Sequence, residues 1–139
     1  MDLTNLITTE NANDGVWFQV ELYGEKQDFD LRILGEDSDK VTNFTRKRLK
    51  KLQIDGERVS VKKNAIDELL ESKDDTYVIR LNGIRTHSDN KEPVTIGDKV
   101  LTNNEESYRF LIEKIPAVKE FIMECSQERS NFLRKEKKN

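Results

Sequence analysis

The sequence predicts an α+β fold: an N-terminal β-hairpin and small antiparallel sheet packed with about four helices, the last two forming a C-terminal pair. Three observations predict it. A β-branched and aromatic run, Val16-Trp17-Phe18, is followed by a strict alternation of Phe29, Leu31 and Ile33 with Asp30 and Arg32, the period of a half-buried strand. The last third places Tyr108, Leu111, Ile112 and Ile115 at helical spacing, with Pro116 interrupting the pattern. The 139 residues suit a single domain with a modest core.

Taken in order, residues 1–14 read as a flexible N-terminal arm around Leu3, Leu6 and Ile7. Residues 15–133 form the domain, and residues 134–139 a charged tail. The hairpin spans Val16 to Leu34, with Gly24-Glu25-Lys26-Gln27-Asp28 as a longer loop between its strands. A helix follows from Ser38 to Leu52, capped by Asp37 or Ser38, with a narrow apolar face of Val41, Phe44, Leu49 and Leu52. Asp55-Gly56 marks a turn, Val59 and Val61 a short extended piece, and Asn64 to Ser72 a second helix. Tyr77 to Leu81 reads as a strand of the hairpin's sheet, closed by Asn82-Gly83. Arg85 to Glu92 is a polar loop, and Pro93 to Ile96 an edge strand. Thr102-Asn103-Asn104-Glu105 resembles a capping box for a helix from Asn104 to Ile115. Pro116 opens a further helix that runs to Leu133. The expected core is Trp17, Phe29, Leu31, Ile33, Val78, Leu111, Phe121 and Ile122.

Composition narrows the function. Charged residues make up 37% of the chain and hydrophobic ones 35%, with a net charge of −3. That balance gives no general attraction to nucleic acid or to anionic lipid. Cys125 is alone, so no intrachain disulfide forms, as suits a reducing compartment. The N-terminus lacks the apolar core of a signal peptide, and no apolar run is long enough to span a bilayer. A soluble cytoplasmic protein is expected.

Few residues offer chemistry. His87 stands in a polar loop beside Ser88 and Asp89. Adjacency in sequence does not make a triad, and a solvated histidine is the favoured reading. Cys125 lies on the apolar side of a helix and reads as a small core residue. Glu36, Asp37 and Asp39 suggest a cation loop, but an EF-hand counted from Asp37 has Thr42 and Arg48 where glycine and glutamate belong. These acids read as a helix cap. No phosphate-binding loop or dinucleotide fingerprint is present. No enzyme activity, metal or cofactor is expected. One feature has functional colour, the basic run Arg46, Lys47, Arg48, Lys50 and Lys51, which reads first as a solvated helix face, then as a docking site for an acidic protein and, least of all, as a nucleic-acid contact. The pair of apolar stripes around Pro116 reads as core before interface, with Tyr108, Leu111, Phe121 and Phe132 as the residues of a partner groove in the second reading.

The order of features is similar to that of a known family. Gly15-Val16-Trp17-Phe18 opens the hairpin, and Leu34-Gly35-Glu36-Asp37-Ser38-Asp39 precedes a basic helix. Thr102-Asn103-Asn104-Glu105 starts an apolar helix, Pro116 divides it, and Arg129-Ser130-Asn131-Phe132-Leu133 closes the chain. In this order, over residues 15–139, the motifs resemble the tail assembly chaperones of long-tailed bacteriophages and prophages. Tyr77 and Leu81 stand where many of those proteins carry a tryptophan. The resemblance implies a non-enzymatic helper in the host bacterial cytoplasm. It would bind the tape measure protein, keep it soluble, recruit the major tail protein, and be absent from the mature virion. It also implies a longer frameshifted form, for which an adenine-rich coding of Lys137-Lys138-Asn139 would be the signal. The oligomeric state stays open, and so do two other classes. One is a small virion protein of the tail completion or connector kind. The other is a regulator that binds a host protein or nucleic acid.

Overall fold

A computed structural model describes residues 1–57, 74–88 and 92–134. The hairpin strands are β1 (Val16–Leu22) and β2 (Glu25–Ile33), and the antiparallel register sets Phe18 opposite Leu31 and Gln19 opposite Asp30. The turn between them is tighter than the expected loop. Leu22 pairs with Glu25, so only Tyr23 and Gly24 turn the chain, at φ +56° and +76°. Two positive φ values are what a type I′ turn requires. Tyrosine is an unusual residue there, so the sequence hides the turn and makes residues 25–28 look like a loop.

The third strand is β3 (Leu81–Thr86), which pairs with β2 to give the order β1-β2-β3. The strand expected at Tyr77–Leu81 is therefore displaced. Tyr77 and Val78 belong to a short helix, α3 (Asp75–Val78), although their side chains favour strands. Tertiary contacts override that preference. The Arg80 guanidinium, 4% exposed, bridges Glu36 and the Thr76 hydroxyl at 2.7 Å each. Asn82 and Gly83 do not close a strand but lie inside one. Arg85 and Thr86, expected in a loop, complete it. Thr95–Ile96 (β4) pairs, among the described residues, with Lys99–Val100 (β5), in a separate small hairpin.

Helix α2 (Asp39–Glu57) begins where the cap residues place it. Ser38, fully buried, accepts the Val41 N–H at 3.2 Å. The helix expected at Asn64–Ser72 lies outside the described residues. Helix α4 (Glu105–Lys114) is capped by Asn104, whose side chain accepts the Ser107 N–H at 2.8 Å. Ser107 in turn accepts the Thr102 N–H at 3.0 Å. The cap is thus Asn104, two residues later than the Thr102 that the capping-box reading places there, and Ser107 ties back to Thr102 rather than to the cap residue. After the break at Pro116, α5 (Val118–Gln127) is shorter than expected. Glu128 adopts an extended conformation and caps a 3-10 turn, Arg129–Phe132.

One face of the sheet carries Val20, Leu22, Leu31, Ile33 and Ile84 into a core shared with Leu111, Ile112, Val118 and Ile122. Each fully buried aliphatic side chain contributes about 1.5–3 kcal/mol of transfer free energy. Phe29 and Phe121 are partly buried against this core. Trp17 is half-buried on the sheet's other face, in register with Arg32. It was expected in the core, but β-alternation sends it the opposite way from Phe18.

The N-terminal segment is structured. A 3-10 turn (Thr4–Leu6) leads to α1 (Thr9–Asp14), and Ala12 of α1 is fully buried. Ile7 O accepts the Arg134 N–H at 3.0 Å, and Asn11 donates its side-chain amide to Leu133 O at 2.9 Å. Both ends of the described chain therefore meet at one place.

Candidate functional site

The C-terminal stripes do not form an open groove. Tyr108, Leu111 and Phe132 are 7%, 1% and 1% exposed, and Phe121 is half-buried. The apolar face that sequence periodicity exposes as a stripe is covered by the sheet and by α1. The rings of Phe18 and Phe132 meet edge-on at 6.2 Å between centroids. Burial also pushes the Tyr108 phenol above its ordinary value. These four residues are core or its margin.

The basic run is different. On α2, Val41 is buried and Phe44 and Arg48 are half-buried, while Arg46, Lys47, Leu49, Lys50 and Lys51 are exposed. Val41, Phe44 and Arg48 fall at i, i+3 and i+7, so one narrow stripe faces the body. Asn43, Arg46, Lys47 and Lys50 fall at i, i+3, i+4 and i+7 and share the opposite face. The five cations thus divide. Three form a solvent stripe, Arg48 lies at the docked edge, and Lys51 lies between. Leu49 flanks the stripe and is 57% exposed. At the foot of α2 is a recess of about 410 Å³ lined by Lys40, Phe44, Val78, Ile79, Tyr108 and Arg109, among others.

A second polar cluster, which the sequence does not reveal, lies on the outer face of the sheet. Asp30, nearly buried, accepts from Arg85 Nε at 2.9 Å and meets His87 Nδ1 at 2.7 Å. The Arg85 guanidinium stacks 4.1 Å from the centroid of Trp17. Gly83 makes room for that ring: a Cβ there would lie 2.7 Å from Trp17 Cη2. His87 is therefore fixed by a carboxylate rather than merely solvated. Its neighbour Ser88 is not aligned with it for a relay, because the Ser88 hydroxyl donates to Asp28 at 3.0 Å. The partners are separated by 55 and 57 residues. The only sequence signal was the polar side of the β2 alternation.

A third arrangement joins two of the motifs. Gly35 and Asp37 before α2 pack against the Arg129–Leu133 ending. Arg129 Nε donates to Asp37 Oδ1 at 3.1 Å. A Cβ on Gly35 would lie 2.8 Å from Ala12 Cβ and 3.0 Å from Phe132 Cδ2. Ser126, fully buried, donates its hydroxyl to Leu34 O at 2.8 Å and to Glu36 at 3.1 Å. The acids before α2, which the sequence offers as a helix cap rather than a cation loop, are engaged by side chains: Glu36 with Arg80 and Ser126, Asp37 with Thr8 and Arg129. Asp39 takes part through its N–H, which Asn13 accepts at 2.7 Å.

Cys125 is half-buried, and desolvation, with nearby Glu124 adding to it, pushes its thiol up to about 12. A thiol so protonated is a poor nucleophile. No three His, Cys, Asp or Glu side chains converge to hold a metal among the described residues, and no helix among them is long and apolar enough to cross a membrane. Compared with family models, with curated proteins and with solved structures, the chain matches none of them.

Proposed function

We propose that this chain is a non-enzymatic binding protein of the tail assembly chaperone kind. In the host bacterial cytoplasm it holds the tape measure protein soluble while major tail subunits gather, and it leaves before the particle is complete. One observation carries the reading. Two of the motifs on which the resemblance rests, the Leu34–Asp39 turn and the Arg129–Leu133 ending, are joined by a contact spanning 92 residues. Motifs that pack together form one structural unit, so their joint occurrence is more specific than either alone. The cationic helix α2 supports a binding role further, since it presents most of its described surface to solvent. A tape measure is a long helical chain with apolar faces that invite aggregation, and a small, charged partner would counter that.

Co-expression tests the proposal. Tape measure fragments from the same genome should become soluble and co-elute with this chain. Fragments that remain insoluble, and that do not bind when refolded beside it, would count decisively against the role. Mass spectrometry of purified particles separates the runner-up: a stoichiometric signal there would identify a virion subunit instead.

A further inference from the structure

We infer that the solvent face of α2 is a docking site for an acidic amphipathic helix of a partner protein. The inference rests on the reading above only in taking the partner to be a protein. Between Lys40 and Ile54 the sequence holds six basic residues and no acidic one, in a chain of net charge −3. The local field of α2 is therefore opposite in sign to that of the rest of the molecule. Such a patch selects an anionic partner and orients it on approach.

Geometry narrows the partner's chemistry. Arg46, Lys47 and Lys50, all exposed, repeat at helical spacing and rise about 6 Å along the axis. A second helix laid alongside, with carboxylates three or four residues apart, would meet them in register. Leu49 on the flank, 57% exposed, calls for an apolar residue beside that acidic stripe. An extended acidic tail would satisfy the cations but leave Leu49 in water. Nucleic acid fits less well. The cationic stripe includes no aromatic ring on which a base could stack, and the remainder of the chain is strongly acidic. Nor does the docked side compete for the ligand, because Val41 and Phe44 hold α2 to the body from the opposite face.

The test uses the full chain and fluorescence anisotropy. The probes are a labelled helical peptide of about 20 residues with a glutamate stripe beside a leucine stripe, a scrambled peptide of the same composition, and a single-stranded oligonucleotide of similar length. The striped peptide should bind, and weaken steeply between about 50 and 300 mM salt. The variant R46E/K47E/K50E should lose at least about tenfold in affinity, and Leu49→Ser about threefold. The milder K47Q/K50Q should lie between wild type and the reversal. Circular dichroism and Trp17 fluorescence should be unchanged in all. Equal affinity for the scrambled peptide, tighter binding of the oligonucleotide, or no binding of any probe would each overturn the inference. So would salt-dependent self-association in sedimentation that R46E/K47E/K50E abolishes while peptide binding persists. The charge-reversed chain also separates the two proposals. If it still solubilises the tape measure fragment, the docking site is elsewhere and the chaperone reading stands. If wild type binds the peptide but never solubilises the fragment, the chaperone reading fails and the docking site stands.

Discussion

Arg129 Nε lies 3.1 Å from Asp37 Oδ1, closing a corner between the turn before α2 and the end of the described chain. Thr8 completes it by donating its hydroxyl to Asp37 Oδ2 at 2.6 Å. Three segments remote in sequence are tied at one carboxylate.

The first prediction concerns pH. The Thr8 hydroxyl first, and then Arg129, hold the Asp37 carboxyl below its ordinary value despite partial burial. A carboxylate whose folded pKa is depressed contributes stability that is fully present above its unfolded value, about 3.9. That stability is lost as pH falls through the lowered folded value. Asp37→Asn should therefore flatten the acid limb of the stability profile below about pH 4, and Asp37→Ala should cost about 1–2 kcal/mol at neutral pH. Urea titrations across the acid range check both. An unchanged acid limb in the asparagine variant would show that the corner does not couple to folding.

The second concerns packing at the same corner. Gly35→Ala would set a Cβ 2.8 Å from Ala12 Cβ and 3.0 Å from Phe132 Cδ2. Overpacking of this kind costs about 1–3 kcal/mol. Ala12→Gly made in the Gly35→Ala background should cost less than in wild type, because it removes one of the two clashing carbons. A double-mutant cycle by thermal unfolding measures the coupling; strictly additive effects would contradict the contact.

The third uses the chain's single tryptophan as a reporter. Gly83→Ala places a Cβ 2.7 Å from the Trp17 ring, which must then move from beneath Arg85. The expected result is a red-shifted emission and a loss of about 1–2 kcal/mol. Arg85→Ala should shift the emission in the same direction with a smaller loss. Unaltered emission in both variants would refute the stacked arrangement.

A fourth prediction separates core from surface. Phe132→Ala should destabilise by about 3–5 kcal/mol, because the ring is 1% exposed. Lys47→Ala on α2 should stay within about 0.5 kcal/mol of wild type. Denaturant midpoints decide. A folded, undestabilised Phe132→Ala would return the C-terminal stripe to consideration as a binding surface.

The fifth concerns Cys125. With its thiol pushed up from 9.0 to about 12, the thiolate fraction at pH 8 falls on the order of a thousandfold. Labelling by a disulfide reagent should be slow in native buffer and fast in denaturant. Immediate native labelling would mean that α5 leaves the thiol accessible.

The sequence by itself determined what short-range physics controls. The alternation in β2, the cap before α2, the break at Pro116 and the α+β class were legible because each depends on residues within a turn or a strand of one another. Only the tertiary structure decided which surface each pattern meets. Tyr77 and Val78 favour a strand locally, yet Arg80 reaching Glu36 and Thr76 holds the chain in a helical turn. Trp17 looks like core, yet the pleat that turns Phe18 toward the core turns it outward onto Arg85. Tyr108 and Phe132 look like an unpartnered stripe, yet the sheet and α1 cover them. Asp30 and His87 are unremarkable in sequence and become partners only when β2 and β3 align. Periodicity records that a face is apolar or charged, whereas its burial depends on free energies shared with residues far along the chain.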